Sequence, residues 1–375
     1  MKFICDQENL VKALNIVSKA VSMRTTLPIL KGILIKCDVS KKRVFLSASD
    51  LDISIETGTE ALIEDEGSIV VSAKMFTDIV RKLPPGEVVF ELKEGDIVEV
   101  KRGYSEFTLQ GIPSDEFPRI ESIEDGNSFS LEKTLLKNLI KGSCFAASTE
   151  EARGIITGVL LEMEKDSVSM VALDGYRMAI VKEVIKGDEE RRLIISGRIV
   201  QEIGKLLADN DNSEEEDVEI KVSDKKAIFH LKDTKIVARL MEGEFIKYKD
   251  ILPKDNNTKI KIRRIALMES VERASIIVRE GKNSFIRFSL EEGQVIISSR
   301  AEEGTVRETV PIEIEGNPIE IGFNARYMID TLKAIEDEEI LMDFNTSISP
   351  CLVRPIEGEY YEYLILPVRL STASI

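Results

Sequence analysis

At 375 residues, 43% of them hydrophobic, the chain is too long for one ordinary core and suits two or three domains. A formal net charge of −16 excludes loose adhesion to nucleic acid, so any polyanion site has to be built by gathering basic side chains onto one face. Cys5, Cys37, Cys144 and Cys351 lie far apart without a CxxC pair, and His230 is the only histidine, which argues against a zinc centre, a disulfide framework and Ser-His or Cys-His catalysis.

In chain order, Phe3-Ile4 opens a stretch in which Leu10, Leu14, Val17 and Val21 mark one helix face. GILIKC and RVFLSAS alternate as strands do. Asp50 and Asp52 follow in SDLDIS; they have the composition of a Mg²⁺ pair, but a position just after a strand reads better as a turn. KMFTDIVRKL, at Lys74 to Leu83, is the next helix, with Met75, Phe76, Ile79, Val80 and Leu83 as its apolar stripe. Its basic residues Lys74 and Arg81 are seven apart, close to two turns, and so share one face. VVFELK, IVEVKR and FTLQG are further strands, and the acidic-aromatic turn SDEFPRI closes the segment.

This order then returns twice. Phe129, Leu136 and Ile140 begin a second copy, continued by GVLLEM, SVSMVAL, a helix with Arg198 and Lys205, the strands VEIKVS, AIFHLK (holding His230) and KIVARLM, and the turn EGEFIKY. Ile260, Leu267 and Val271 begin a third, continued by FIRFSL, QVIISS, a helix with Arg326 and Lys333, and EGEYYEY. Asp, Gly and Asn cluster near 124–127 and 254–257, giving copies at 1–126, 127–256 and 257–375. The acidic run 209–217 reads as a solvated loop. Each copy is expected to begin helix, strand, strand and to form an α+β domain with two helices packed on antiparallel sheet.

Three matched basic pairs on an acidic chain point to a surface for a polyanion. No nucleotide loop is present: GxxxxGK[ST] and GxGxxG are absent, and Gly281-Lys282 lacks the flanking residues. No catalytic residue, metal or cofactor is expected. The start MKFICDQENL lacks a signal-peptide run, and no apolar stretch nears the roughly 20 residues that span a bilayer, so a soluble cytoplasmic protein without membrane partners is expected.

MKF at the start, RTTLPIL from Arg24, DGYR from Asp174, IGFN from Ile321 and LPVRL from Leu366 together resemble the bacterial β sliding clamps, processivity subunits of DNA polymerase III, over essentially the whole chain. The resemblance implies a head-to-tail homodimeric ring, helices inside and sheets outside, that encircles duplex DNA without sequence specificity and performs no catalysis. It implies a clamp-loader ATPase to open the ring, and DNA polymerase and repair proteins tethered through short linear peptides. DNA contacts are implied at Arg24 and Arg198 and in the loop Thr149 to Gly154, which here holds Arg153 beside Glu150 and Glu151.

A peptide cleft is implied at Ile156, Leu173, Gly175, Tyr176, Arg177, Ile246 and Ile251, completed by Asn324, Tyr327, Ile348, Leu364, Leu366, Pro367, Val368 and Arg369. Apolar side chains would anchor the peptide there, with Arg177 and Asn324 fixing its orientation. Ile246 stands where relatives often have proline, and Ser371 to Ile375 extend beyond the final motif. The implied subunit interface sets Ile276 and Ile277 against Phe107 and Leu109 of the other chain, with Lys74 close by. Two other readings remain open from the residues alone: a repeat scaffold that binds proteins without DNA, and a metal-dependent nucleic-acid enzyme using Asp50 and Asp52.

Overall fold

The computed structural model describes the chain apart from residues 23, 124–126, 187–189, 210–216, 279–284, 303 and 371–375. Most of the acidic run, Gly281-Lys282 and the final five residues therefore lie outside the described residues.

The first copy runs β1 (Lys2–Asp6), α1 (Gln7–Val17), β2 (Gly32–Asp38), β3 (Arg43–Ser49), β4 (Ile53–Glu60), β5 (Leu62–Asp65), β6 (Gly67–Ser72), α2 (Ala73–Lys82), β7 (Glu87–Lys93), β8 (Ile97–Arg102) and β9 (Ser105–Gln110). The second runs β10 (Asn127–Glu132), α3 (Lys133–Ser143), β11 (Gly158–Glu164), β12 (Ser167–Leu173), β13 (Arg177–Val184), β14 (Arg191–Ser196), α4 (Gly197–Asp209), β15 (Asp217–Val222), β16 (Lys226–Leu231) and β17 (Thr234–Arg239). The third runs β18 (Thr258–Arg263), α5 (Arg264–Val278), β19 (Phe285–Glu291), β20 (Gln294–Ala301), β21 (Gly304–Pro311), β22 (Glu313–Gly316), β23 (Ile319–Asn324), α6 (Ala325–Ala334), β24 (Glu339–Phe344), β25 (Cys351–Arg354) and β26 (Tyr361–Ile365).

Each copy thus opens on a strand, not on the helix expected. Phe3 and Cys5 point inward from β1, and the Asp6 carboxylate then starts α1 by accepting from the Glu8 and Asn9 amides. One inward pair is too short to separate a period of two from a helical period, which is why Phe3-Ile4 reads as helix. Leu10, Leu14 and Val17 are buried as expected, whereas Val21 lies beyond the helix. α2 buries Ala73, Phe76, Thr77 and Val80; Met75, expected in the apolar stripe, is 54% exposed.

Every copy carries two antiparallel sets of four strands, one of them extended to five by β5 in the first copy and by β22 in the third, and the sets join across copies. β17 pairs with β4, giving the order β10-β15-β16-β17-β4-β3-β2-β6, and β26 pairs with β13, giving β14-β11-β12-β13-β26-β25-β24-β18-β22. β5-β1-β7-β8-β9 and β21-β20-β19-β23 are the remaining sheets. Because the central copy shares one set with each neighbour, the chain divides into two compact units, Met1–Thr134 with Glu202–Leu240 (unit 1) and Leu135–Gln201 with Met241–Ile375 (unit 2).

In unit 1, α1 lies on β3, β4 and α2, and Phe3, Phe76 and Phe90 form an aromatic cluster. In unit 2, α5 lies on β20, β21 and α6, and Phe288, Phe323 and Phe344 do the same. The four cysteines are buried and unpaired, and burial pushes the Cys37 and Cys144 thiols up to about 12, which leaves them poor nucleophiles. Among the described residues, no helix is long and apolar enough to cross a membrane.

Candidate functional site

The turn between β12 and β13, in unit 2, organises the residues expected to line a peptide cleft. The Asp174 Oδ1 accepts from the Tyr176 amide at 2.8 Å and the Arg177 amide at 3.0 Å, while Gly175 takes a φ of 88° that glycine tolerates best. Asp50 does the same between β3 and β4, accepting from the Asp52 and Ile53 amides at 3.0 and 2.9 Å. The Asp50 Oδ1 thus serves its turn. No group of three or more metal-ligating side chains occurs among the described residues.

Arg177, expected to help orient a peptide, is held by partners within its own chain. Its Nε donates to Asp174 Oδ2 at 3.0 Å, Nη1 to Asp330 Oδ2 at 2.7 Å and Nη2 to the Phe145 carbonyl at 2.8 Å, with the side chain 9% exposed. Its guanidinium also stacks 4.6 Å from the Tyr327 ring centroid. Arg177 shapes the cleft wall by fixing Tyr327, which in turn stacks on half-exposed Tyr176 at 6.2 Å. Asp330 and Phe145 were missed from the sequence. An acid one helical turn after Arg326 reads as a local pair, and Arg326 is indeed 3.9 Å away, but the shorter bond goes to Arg177.

The floor is apolar. Leu173 and Leu364 belong to a buried cluster with Leu160, Ile180, Tyr248 and Leu352, against which Ile155 and Ile156 pack. Tyr248 donates to Glu162 at 2.5 Å, and Glu162 also meets Arg192 at 2.8 Å, so the one polar group in that floor is satisfied. Burial and then the Glu162 carboxylate push the Tyr248 phenol far above its usual range. Around the rim, Ile246, Ile251 and Ile348 are 37%, 43% and 69% exposed. The Leu366 amide donates to the Tyr176 carbonyl at 2.8 Å and the Val368 amide to the Gly322 carbonyl at 2.8 Å, which fixes half-buried Pro367 between them; Arg369 is exposed. Asn324 spends its side-chain oxygen capping α6, accepting from the Arg326 amide at 2.9 Å.

Arg153, expected at DNA, is tied to the turn between β12 and β13. Its Nε donates to Glu150 at 2.8 Å, Nη1 to the Asp174 carbonyl at 2.7 Å, and its guanidinium lies 5.4 Å from the Tyr176 ring. The other expected DNA contacts, Arg24, Lys74, Arg81, Arg198, Lys205, Arg326 and Lys333, are all exposed. Several are tethered: Arg81 donates to the Asn15 side chain, Lys205 pairs with Glu202 at 2.7 Å and Lys333 with Glu272 at 2.8 Å. Such surface pairs cost little to exchange for phosphate.

Of the expected interface residues, Phe107 is 37% and Ile276 61% exposed, Ile277 is half-buried, and Leu109 is buried at 5%. Leu109 thus packs inside its own chain, facing Val98 across β8 and β9. Both β9 and β21 lie at sheet edges.

Three family models match in succession: the N-terminal domain of the DNA polymerase III beta subunit at 1–121, its central domain at 130–247 and its C-terminal domain at 249–369. The beta sliding clamps of Halalkalibacterium halodurans and Bacillus subtilis are each 36% identical, covering 98% of this chain and 100% of theirs. The crystal structure of the Bacillus subtilis sliding clamp superposes with a TM-score of 0.93 at 35% identity, over 99% of this chain and 100% of that one. A Pseudomonas aeruginosa sliding clamp bound to griselimycin superposes with a TM-score of 0.90 at 28% identity over the same shares. The chain belongs to the DNA polymerase III beta subunit family, the beta sliding clamps.

Proposed function

We propose that the chain is a DNA sliding clamp that closes head to tail around duplex DNA as a homodimer and holds DNA polymerase III on its template without catalysis. The strand-pairing rule of the repeats carries the closure. The last strand of copy two (β17) pairs with the third strand of copy one's other set (β4), and β26 pairs likewise with β13. The counterparts left over are β9 and β21, and pairing β9 of one protomer with β21 of the next obeys the same rule. Transferring the register through the hairpin turns, Leu231↔Thr234 onto Arg102↔Ser105 and Ser49↔Ser54 onto Arg300↔Thr305, sets Phe107 opposite Val306 and Leu109 opposite Gly304. Glu106 then faces Arg307, a favourable cross-strand pair. A Cβ at Gly304 would lie 3.8 Å from Ile277, so the α5 isoleucines flank this edge.

Inside the closed dimer the basic pairs would meet phosphates, whose contacts carry no sequence information and allow sliding. A clamp-loader ATPase opens it, since no nucleotide loop is present. The unit 2 cleft takes short apolar peptide segments of polymerase and repair proteins, and griselimycin as a probe of the same site. With a clamp loader and polymerase on a primed circular template, the chain is expected to lengthen the products of single binding events. Product lengths unchanged by its addition would contradict the proposal.

A further inference from the structure

The backbone frame around Gly175 is built a second time, in unit 1. Gly158 at the start of β11 has space filled by Ile194 and the Ile155 carbonyl; Gly32 at the start of β2 has it filled by Val70 and the Ile29 carbonyl. The Met241 amide donates to the Ile194 carbonyl at 2.8 Å, and the Ile112 amide to the Val70 carbonyl at 2.8 Å. The Leu366 amide donates to the Tyr176 carbonyl, and the Arg239 amide to the Asp52 carbonyl, each at 2.8 Å. Even the floor has its counterpart, Ile29, Leu30, Val70 and Phe117 with Leu34 against them.

The frames differ in what stands at the mouth. Gly175 has only Arg153 Nη1, at 3.6 Å, within 4 Å of the place of a Cβ. The matching residue in unit 1 is Leu51, with a φ of 81° and 56% exposure. A leucine is penalised by that conformation and gains little burial there, while the same turn with the same two amide bonds is made by a glycine at 88°. The turn does not need the side chain, so its use lies in the space it occupies.

We propose that Leu51 is a specificity-determining residue: its side chain shuts the unit 1 copy of the cleft, so each chain offers one peptide site, opened by Gly175. The inference rests on the reading of the unit 2 cleft as a peptide site. Calorimetric titration with griselimycin tests both. Wild type is expected to take one equivalent per chain. Gly175→Leu is expected to lose at least 100-fold in affinity while remaining folded, because Leu51 shows that this turn accepts leucine. Leu51→Gly is expected to keep the first site and gain a second, weaker equivalent. Should Gly175→Leu melt early, Gly175→Asn, which tolerates positive φ, replaces it with the same expected loss. Binding within threefold of wild type in the position 175 variants, or a single equivalent in Leu51→Gly, overturns the inference. No binding to wild type defeats the cleft reading itself, and the inference with it.

Discussion

Arg177 and Asp330 are joined by a 2.7 Å ion pair that ties β13 to α6 within unit 2. The guanidinium is nearly buried and has two further acceptors, so removing Asp330 leaves a partly uncompensated charge in the cleft wall. Asp330→Ala is expected to cost about 2 kcal/mol in chemical denaturation. Partner peptides should weaken with it, because Tyr327 and then Tyr176 lose their support. Wild-type stability together with wild-type peptide affinity would show that the wall does not depend on the pair.

Tyr248→Phe tests the polar group under the cleft. It removes the hydroxyl that donates to Glu162 but leaves Arg192 in place, so a loss of about 1 kcal/mol is expected. Since burial and Glu162 hold the phenol protonated well beyond its usual range, the difference between Tyr and Phe should be constant across neutral pH. A pH-dependent difference would mean that Glu162 is paired otherwise.

The interface register is testable by crosslinking. Glu106→Cys with Arg307→Cys should give disulfide-linked dimers under mild oxidation, because directly opposed antiparallel residues fall within disulfide reach. Ile276→Asp should give monomers in sedimentation, since it sets a carboxylate against Phe107. Crosslinking confined to registers shifted by two residues would refute the transferred pairing.

His230 gives a pH signature. Burial, more than any neighbouring charge, lowers its pKa below 6.5 in the folded chain. The unfolded chain therefore takes up the proton first, so this residue's contribution is fully present above pH 6.5 and is lost as pH falls through the folded value. His230→Gln should unfold with a shallower pH dependence as the pH falls below 6.5. An unaltered slope below pH 6.5 would remove His230 from the account.

Much of the fold was legible because the repeats cross-check one another: a basic helix read once is a solvated face, and read three times at matched positions it is a pattern. The strands opening each copy were not legible, since β1 offers a single inward pair. Nor was the sharing of the central copy between two sheets, because β17–β4 and β26–β13 pair residues more than a hundred positions apart, and nothing local records it. At the expected cleft, Leu173 and Leu364 were reached through the family resemblance, and both lie in a buried apolar cluster. The inward turn of Arg177 was not legible, because its partners Asp330 and Phe145 come from other elements and its side chain has the charge of a ligand-binding group.

Retention by enclosure is most directly measured on a closed circular plasmid loaded with labelled protein, separated from free protein, and then cut once. The account predicts that protein stays on the intact circle at moderate salt and leaves within minutes of linearisation. Equal loss from the circle and the cut duplex, or retention on both, would contradict it.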